Sequence, residues 1–198
     1  VNSIHEIIDP LLVVYNSLCK AKSKSIADGY ILDLLRRANS FGINLAKVDI
    51  RQEASRHTRL VSKIYYNLNK KKFFNLKEEE KISFLIKSLK SKKSLINKKT
   101  FSNREDKETW ETFKLLARTP KECLGAYIIS MTSCASDILT VMLLQKEAGI
   151  KKYLRIVPLF ETLQDLKDSK KIMKQIYKNK FYLNNFNYKQ EVMIGYSD

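Results

Sequence analysis

Three short apolar runs in the last third of the chain constrain its fold more than any other feature. They cover residues 126–131, 154–161 and 191–198, and the second and third end on the carboxylates of Glu161 and Asp198. Each run has the length of a strand and is apolar almost without interruption, which is typical of a strand buried on both faces in a parallel sheet. Segments with helical spacing separate the runs, so the predicted order is strand, helix, strand, helix, strand.

A fourth segment of strand length lies earlier in the chain, at residues 43–50, where apolar and polar residues alternate. Such alternation predicts a strand, which would place Arg51 at or just past its carboxyl end. Parallel strands joined by crossover helices have all their carboxyl ends on one face, where barrels of this type hold their active sites. Glu161 and Asp198 would then lie on the same rim, and two carboxylates so placed can bind a hard divalent cation.

Apolar residues at helical spacing predict helices in the remainder of the chain. These helices cover residues 10–19, 30–38, 52–67, 78–89 and 110–117, and another begins with Ser136 as its N-cap and ends at Gly149. Residues 68–108 are rich in lysine on both sides of their helix. We interpret this segment as a lysine-rich helical excursion at the surface rather than as a binding element.

The composition is that of a globular protein in a reducing compartment. A chain of 198 residues with 44% hydrophobic residues can bury one sizeable core, which favours a single domain or part of a larger one. No apolar run approaches the roughly 20 residues that a membrane helix needs, and the N-terminus lacks the basic and apolar regions of a signal peptide. The three cysteines have no metal-type spacing and are interpreted as reduced thiols. We therefore expect a cytoplasmic protein with no membrane partner.

The formal net charge of +16, from 37 basic and 21 acidic residues, raises the alternative of a nucleic-acid-binding module. Most of the excess is lysine scattered among asparagine, isoleucine and aromatic residues. No basic stripe with aromatic residues at stacking intervals is evident. We therefore interpret the charge as spread over solvated faces, where it could also attract anionic substrates, and we expect no nucleic-acid partner.

Several longer motifs occur in a fixed order along the chain. They are DIRQEASRH at residues 49–57, GAYIISM at 125–131, SDIL at 136–139, KEAGI at 146–150, VPLFETL at 157–163 and VMIGYSD at 192–198. In this order and at these spacings they resemble the phosphoenolpyruvate carboxylase family, from about Asp28 to the last residue. Ala54 and Ala135 depart from the serine and proline that are usual in the family.

The resemblance implies an α/β fold that is part of a helix-decorated, helix-rich (β/α)8 TIM-type barrel, with about half of the barrel present. The family's enzyme is several times longer, so we expect residues 1–198 to form a single partial domain, an internal fragment of a larger catalytic barrel. Neither His5 nor His57 aligns with the family's catalytic histidines, and both are interpreted as structural. No catalytic residue is therefore assigned within the chain.

The resemblance also implies the chemistry. Enzymes of the family are carboxy-lyases that carboxylate phosphoenolpyruvate with bicarbonate to give oxaloacetate and phosphate. By resemblance, Arg51 would bind the substrate phosphate, a task that suits a planar guanidinium. Glu161 and Asp198 would hold Mg²⁺ (or Mn²⁺), which stabilises the developing enolate. From the residues alone, Glu161 could instead cap the next helix, and Arg51 could pair with Asp49 or Glu53.

The implied partners are phosphoenolpyruvate, bicarbonate, the rest of the same enzyme chain and further subunits, because the family forms allosteric homotetramers. The isolated chain is expected to be inactive. Two other hypotheses stay open, namely a basic nucleic-acid-binding module and a non-functional remnant of the gene. Affinity for DNA that falls steeply with salt would favour the first, whereas flanking segments encoded in frame would exclude the second.

Overall fold

The computed structural model describes residues 3–97, 100–101 and 103–196, and the chain divides into two compact units, Val1–Lys47 and Val48–Asp198. The first unit is helical. Its elements are α1 (His5–Lys20), α2 (Lys24–Ile26), a π-helical turn (Ala27–Ile31) and α3 (Leu32–Phe41). Ile8, Leu35 and Ala38 form its small core. Gly42 follows α3 with φ 63°, a backbone conformation in which glycine is favoured at a helix end, as its position after an apolar helix predicts.

The second unit is built around a parallel sheet of four strands. The strands are β1 (Val48–Glu53), β2 (Leu124–Ser130), β3 (Arg155–Phe160) and β4 (Met193–Ile194), and they lie side by side in the order β1-β2-β3-β4. Every pairing is parallel, which confirms the predicted α/β class and strand order. The helices and short turns of this unit are α4 (Ala54–Asn69), the 3₁₀ turn Phe73–Asn75, α5 (Glu78–Lys90), α6 (Arg104–Arg118), the 3₁₀ turn Lys121–Cys123, α7 (Ala135–Glu147), α8 (Leu163–Tyr177) and α9 (Lys180–Asn185).

The two outer strands differ from their predictions. The strand predicted at residues 43–50 begins only at Val48 and continues to Glu53, so that Arg51 lies inside it. Leu45, which contributes to the alternation, lies before the strand and is exposed. In the run predicted at residues 191–198, the described part, residues 191–196, contains only the short β4, and Ile194 is exposed. Burial on both faces was therefore a wrong prediction for this run, which lies at the edge of the described sheet.

The two faces of the sheet have different surroundings because successive side chains of a strand point to opposite faces. One face joins the main core, which the helices share. Its sheet residues are Tyr127, Ile129, Ile156 and Phe160. The other face carries a separate small apolar cluster. Its members are Ala126, Ile128, Val157 and Leu159. None of the helices in the described ranges is long and apolar enough to cross a membrane.

Helix α7 is the centre of the main core. Every residue from Ala135 to Gln145 is buried, and α5 packs against it through Leu85 and Leu89. A helix that is covered all round must be apolar on all sides, which explains its weak amphipathic pattern in the sequence. The predicted helix at residues 78–89 is confirmed as α5.

The start of α7 differs from its prediction. Cys134, not Ser136, occupies the N-cap position, and Asp137 accepts hydrogen bonds from the backbone N–H groups of Ser133 (3.0 Å) and Cys134 (3.1 Å). Ser136 instead donates its backbone N–H and its hydroxyl to the carboxylate of Glu78 on α5, at 2.7 and 2.9 Å. The two helices are therefore joined at their N-terminal ends.

Candidate functional site

The carboxyl ends of the parallel strands form one rim of the sheet. Glu53 at the end of β1 lies beside Ser130 at the end of β2, and Glu161 directly follows β3. Thr162, and not Glu161, caps α8, because its hydroxyl oxygen accepts the backbone N–H of Asp165 at 3.1 Å. The carboxylate of Glu161 is thus not used as a helix cap.

Arg51 and Glu161 meet at this rim although they are 110 positions apart in the sequence. The Arg51 guanidinium donates to Glu161 Oε1 in an ion pair. The side chain of Glu161 is 10% exposed and that of Arg51 is 56% exposed, so the carboxylate is the inner member of the pair. Arg51 lies in register with Ile128 of β2, and Ile128 with Val157 of β3. Arg51 therefore belongs to the sheet face that carries the small apolar cluster.

The nearer acids considered as partners of Arg51 have other partners. Asp49 Oδ1 accepts the backbone N–H of Ala126 on the neighbouring strand at 2.6 Å. Glu53 Oε1 accepts the hydroxyl of Ser55 at 2.6 Å. The guanidinium is accordingly oriented across the rim toward β3 rather than along its own strand.

The chain after β4 passes close to Glu161. The backbone N–H of Gly195 donates to the carbonyl of Phe160 at 3.0 Å. A Cβ atom at position 195 would lie 3.0 Å from Glu161 Cγ, closer than ordinary van der Waals contact. Glycine is thus favoured by the close approach of two chain segments, as predicted. Asp198, the second predicted cation ligand, lies outside the described residues, three positions further along the chain.

The rim offers oxygen chemistry of the kind that Mg²⁺ prefers. Mg²⁺ is commonly bound through only one or two carboxylates, with water and substrate oxygens completing the octahedron. Glu161 fits the role of one such ligand, because its carboxylate lies at the rim and already holds a positive group. Within residues 3–97, 100–101 and 103–196 no group of three or more His, Cys, Asp or Glu side chains could hold a metal ion. The described residues thus form no complete cage of protein ligands for a metal ion.

A buried polar chain lies on the opposite face of the sheet, beneath α4. His57 Nε2 lies 2.8 Å from the hydroxyl of Tyr127, and this hydroxyl donates to Gln52 Oε1 at 3.2 Å. Because the hydroxyl has one proton, His57 must donate to it through Nε2–H, which leaves the buried Nδ1 without a partner in the described part of the chain. The sequence contained a signal for this burial, since His57 precedes Leu60, Val61 and Ile64 at helical spacing.

Stability should fall as the pH drops below about 6.5, the usual pKa of histidine in an unfolded chain. Burial, and secondarily the charge of Arg56, lowers the pKa of His57 in the folded protein to about 3. Between these two pKa values the unfolded state binds one more proton, so lowering the pH from 7.5 to 5 should cost about 2 kcal/mol of unfolding free energy through this residue. Urea denaturation at the two pH values measures the loss.

The variant His57→Gln should lose this part of the pH dependence, because glutamine does not titrate. His5→Gln is the matched control, since His5 is on the surface, and it should retain the full dependence. Equal loss of stability on acidification in wild type and His57→Gln would contradict the assignment.

The similarity to known proteins covers the whole chain. The family model described as phosphoenolpyruvate carboxylase matches residues 1–198. The C4 phosphoenolpyruvate carboxylase of Flaveria trinervia is 43% identical over 196 residues, which cover 99% of this chain and 20% of that protein. The phosphoenolpyruvate carboxylase of Acinetobacter baylyi is 45% identical over 200 residues, covering 98% of this chain and 22% of that protein.

Phosphoenolpyruvate carboxylase 1 of Sorghum bicolor is 41% identical over 196 residues, with coverage of 99% and 20%. The chain therefore spans about a fifth of the length of the curated relatives that it matches. Because the family model and these relatives cover nearly every residue, the similarity extends beyond the rim to both compact units. The chain belongs to the phosphoenolpyruvate carboxylase family.

Proposed function

We propose that this chain supplies part of the active site of an enzyme that carboxylates phosphoenolpyruvate with bicarbonate to oxaloacetate and phosphate. The observation that carries the proposal is the meeting of Arg51 and Glu161 at the carboxyl rim of a parallel sheet. This rim is where barrels of parallel strands hold their active sites. Family membership makes this reaction the first one to test.

In the proposed site, Arg51 binds the phosphate group of the substrate. A guanidinium donates two parallel hydrogen bonds to phosphate oxygens and stays charged at any physiological pH. Its 56% exposure leaves it accessible from the rim. Glu161, together with Asp198, would hold Mg²⁺ or Mn²⁺. A divalent cation bound there would act as a Lewis acid that stabilises the negative charge of the enolate.

The proposal includes the rest of a longer polypeptide. The small apolar cluster on the sheet face of Arg51 corresponds to the interior of a closed barrel, where layers of branched side chains fill the core. About half of a TIM-type barrel would thus be present here, and further strands would complete it. By analogy with the family, the complete enzyme would be a cytoplasmic, allosteric homotetramer.

One feature that sequence reasoning missed favours the alternative of nucleic-acid binding. Helix α8 carries a row of exposed lysines. They are Lys167, Lys170, Lys171, Lys174 and Lys178, the last just after the helix. Aromatic residues do not alternate with them, as they do in surfaces on which bases stack. A salt titration against generic DNA tests this alternative, which requires affinity that falls steeply with salt concentration.

The isolated chain should form no oxaloacetate, whereas the longer polypeptide that naturally contains it should do so in the presence of Mg²⁺, phosphoenolpyruvate and bicarbonate. The reason is that none of its histidines corresponds to a catalytic histidine of the family. Oxaloacetate is measured by coupling its reduction to the oxidation of NADH. Bicarbonate-dependent turnover by the 198 residues alone, or none by a folded longer polypeptide, would contradict the proposal.

A further inference from the structure

A cavity lies away from the rim, on the outer side of α4. It has a volume of about 450 Å³, within the range typical of small-molecule sites. Its lining includes Lys63, Tyr66, Asn67, Lys72, Phe74 and Thr100. None of the rim residues contributes to it. Lys72, Phe74 and Thr100 belong to residues 68–108, the segment interpreted from the sequence as a surface excursion without a binding role.

The floor of the cavity is electrically balanced. Arg59 Nε donates to Asp106 Oδ1 at 2.7 Å, and Lys63 donates to the other carboxylate oxygen of Asp106. Arg59 also pairs with Glu105 at 2.6 Å. The side chain of Asp106 is completely buried, so this network is a fixed part of the fold. Two cations and two carboxylates cancel, and the floor itself provides no net charge for a ligand.

The mouth of the cavity carries positive charges that no carboxylate of the described residues neutralises. Lys72 lines it, and the ammonium group of Lys70 lies 5.8 Å from the ring centre of Tyr66, another lining residue. Neither lysine has a carboxylate partner in the described part of the chain. Both ammonium groups can therefore donate hydrogen bonds to an anion at this position, Lys70 from over one face of the Tyr66 ring.

Two aromatic rings are held at the same cavity in contact with solvent. Tyr66 is 52% and Phe74 is 63% exposed. Phe73, by contrast, is buried against Tyr65 and Phe84, and this anchor fixes the 3₁₀ turn that presents Phe74 on the outside. Exposed aromatic faces beside lysines can stack with a flat ring while the lysines bind an attached anion.

We propose that this cavity binds a free nucleoside phosphate, with the base against Tyr66 and Phe74 and the phosphate at Lys70 and Lys72. A simple inorganic anion would bind the lysines but not stack on the rings. An uncharged aromatic compound would stack on the rings but not bind the lysines. The side-chain amide of Asn67 can donate to or accept from the edge of a base. The site would be independent of the rim and of the carboxylation reaction.

Isothermal titration of the polypeptide that naturally contains this chain with AMP tests the proposal. Tyr66→Ala should weaken AMP binding about tenfold, the loss of one stacking contact. Lys72→Ala should weaken it about fivefold, the loss of one charge-assisted hydrogen bond. Tyr177→Ala and Lys171→Ala on α8 are matched controls, because both residues are exposed and outside the cavity, and they should leave AMP binding unchanged.

Parallel titrations with adenosine and with inorganic phosphate should both be at least about tenfold weaker than with AMP, since each retains only half of the contacts. AMP binding that is absent, or that the α8 variants weaken as much as the cavity variants do, would overturn the proposal. So would a single-stranded oligonucleotide that binds far more tightly than AMP and loses its affinity in the α8 variants, because the ligand would then be a nucleic acid held by the row of lysines on α8.

Discussion

Replacing Glu161 by glutamine should lower kcat of the complete enzyme about a thousandfold, the size of effect seen when one group that stabilises developing negative charge is removed. Glutamine keeps the shape of the side chain and a hydrogen-bond acceptor for Arg51, but it lacks the charge that a divalent cation requires. The fold should survive, because the side chain lies at the rim and caps no helix. Oxaloacetate formation at saturating phosphoenolpyruvate measures the change.

The chain offers a matched control at the other end of the same strands. Glu191 pairs with Arg155, the first residue of β3, so Glu191→Gln removes the same charge from another, more exposed, arginine–glutamate pair. This variant should keep nearly normal turnover. A second measurement does not depend on activity: the affinity for Mn²⁺, followed by electron paramagnetic resonance, should fall in Glu161→Gln and stay unchanged in Glu191→Gln. Normal Mn²⁺ affinity in Glu161→Gln would refute its role as a ligand.

The central strands could be predicted from the sequence because they are buried. The runs at residues 126–131 and 154–160 agree with β2 and β3 to within two residues at each end, since a strand covered on both sides must be apolar at nearly every position. The outer strands could not be placed as well. Their limits depend on which neighbour is available for pairing, and the strand that alternation predicts from residue 43 begins only at Val48, where pairing with β2 starts.

Contacts between distant segments explain the remaining differences. Ser136 has the side chain of a good N-cap, but Glu78 of α5 binds it instead, and no local pattern contains this information. The contacts at the rim likewise join distant segments, and no local sequence pattern predicts them. Arg51 and Glu161 were identified from family motifs, whereas sequence reasoning considered only Asp49 and Glu53 as acid partners of the arginine. The parallel register of β1, β2 and β3 determines the true partner, and register is a property of the sheet rather than of any one segment.

Arg51→Ala should raise the KM for phosphoenolpyruvate about a hundredfold, because a charge-assisted contact to the phosphate is lost already in the ground state. The value of kcat at saturation should change much less than in Glu161→Gln. Initial rates over a range of phosphoenolpyruvate concentrations separate the two parameters.

Arg155→Ala is the control for Arg51→Ala, because Arg155 is a strand residue that is 58% exposed and pairs with a glutamate just outside a strand, Glu191 before β4. It should leave both kinetic parameters nearly unchanged.

The variant Arg51→Ala also tests whether the ion pair between Arg51 and Glu161 competes with cation binding at Glu161. Glu161 Oε1 accepts the Arg51 guanidinium in this structure, and the positive charge of the guanidinium would repel a divalent cation at the same carboxylate. Removing the guanidinium should therefore strengthen Mn²⁺ binding by up to about fivefold, the upper end expected for an exposed ion pair. Tighter Mn²⁺ binding combined with a raised KM would show that Arg51 exchanges Glu161 for the substrate phosphate. Weaker Mn²⁺ binding would instead mean that Arg51 positions the carboxylate for the cation, and the exchange would be refuted.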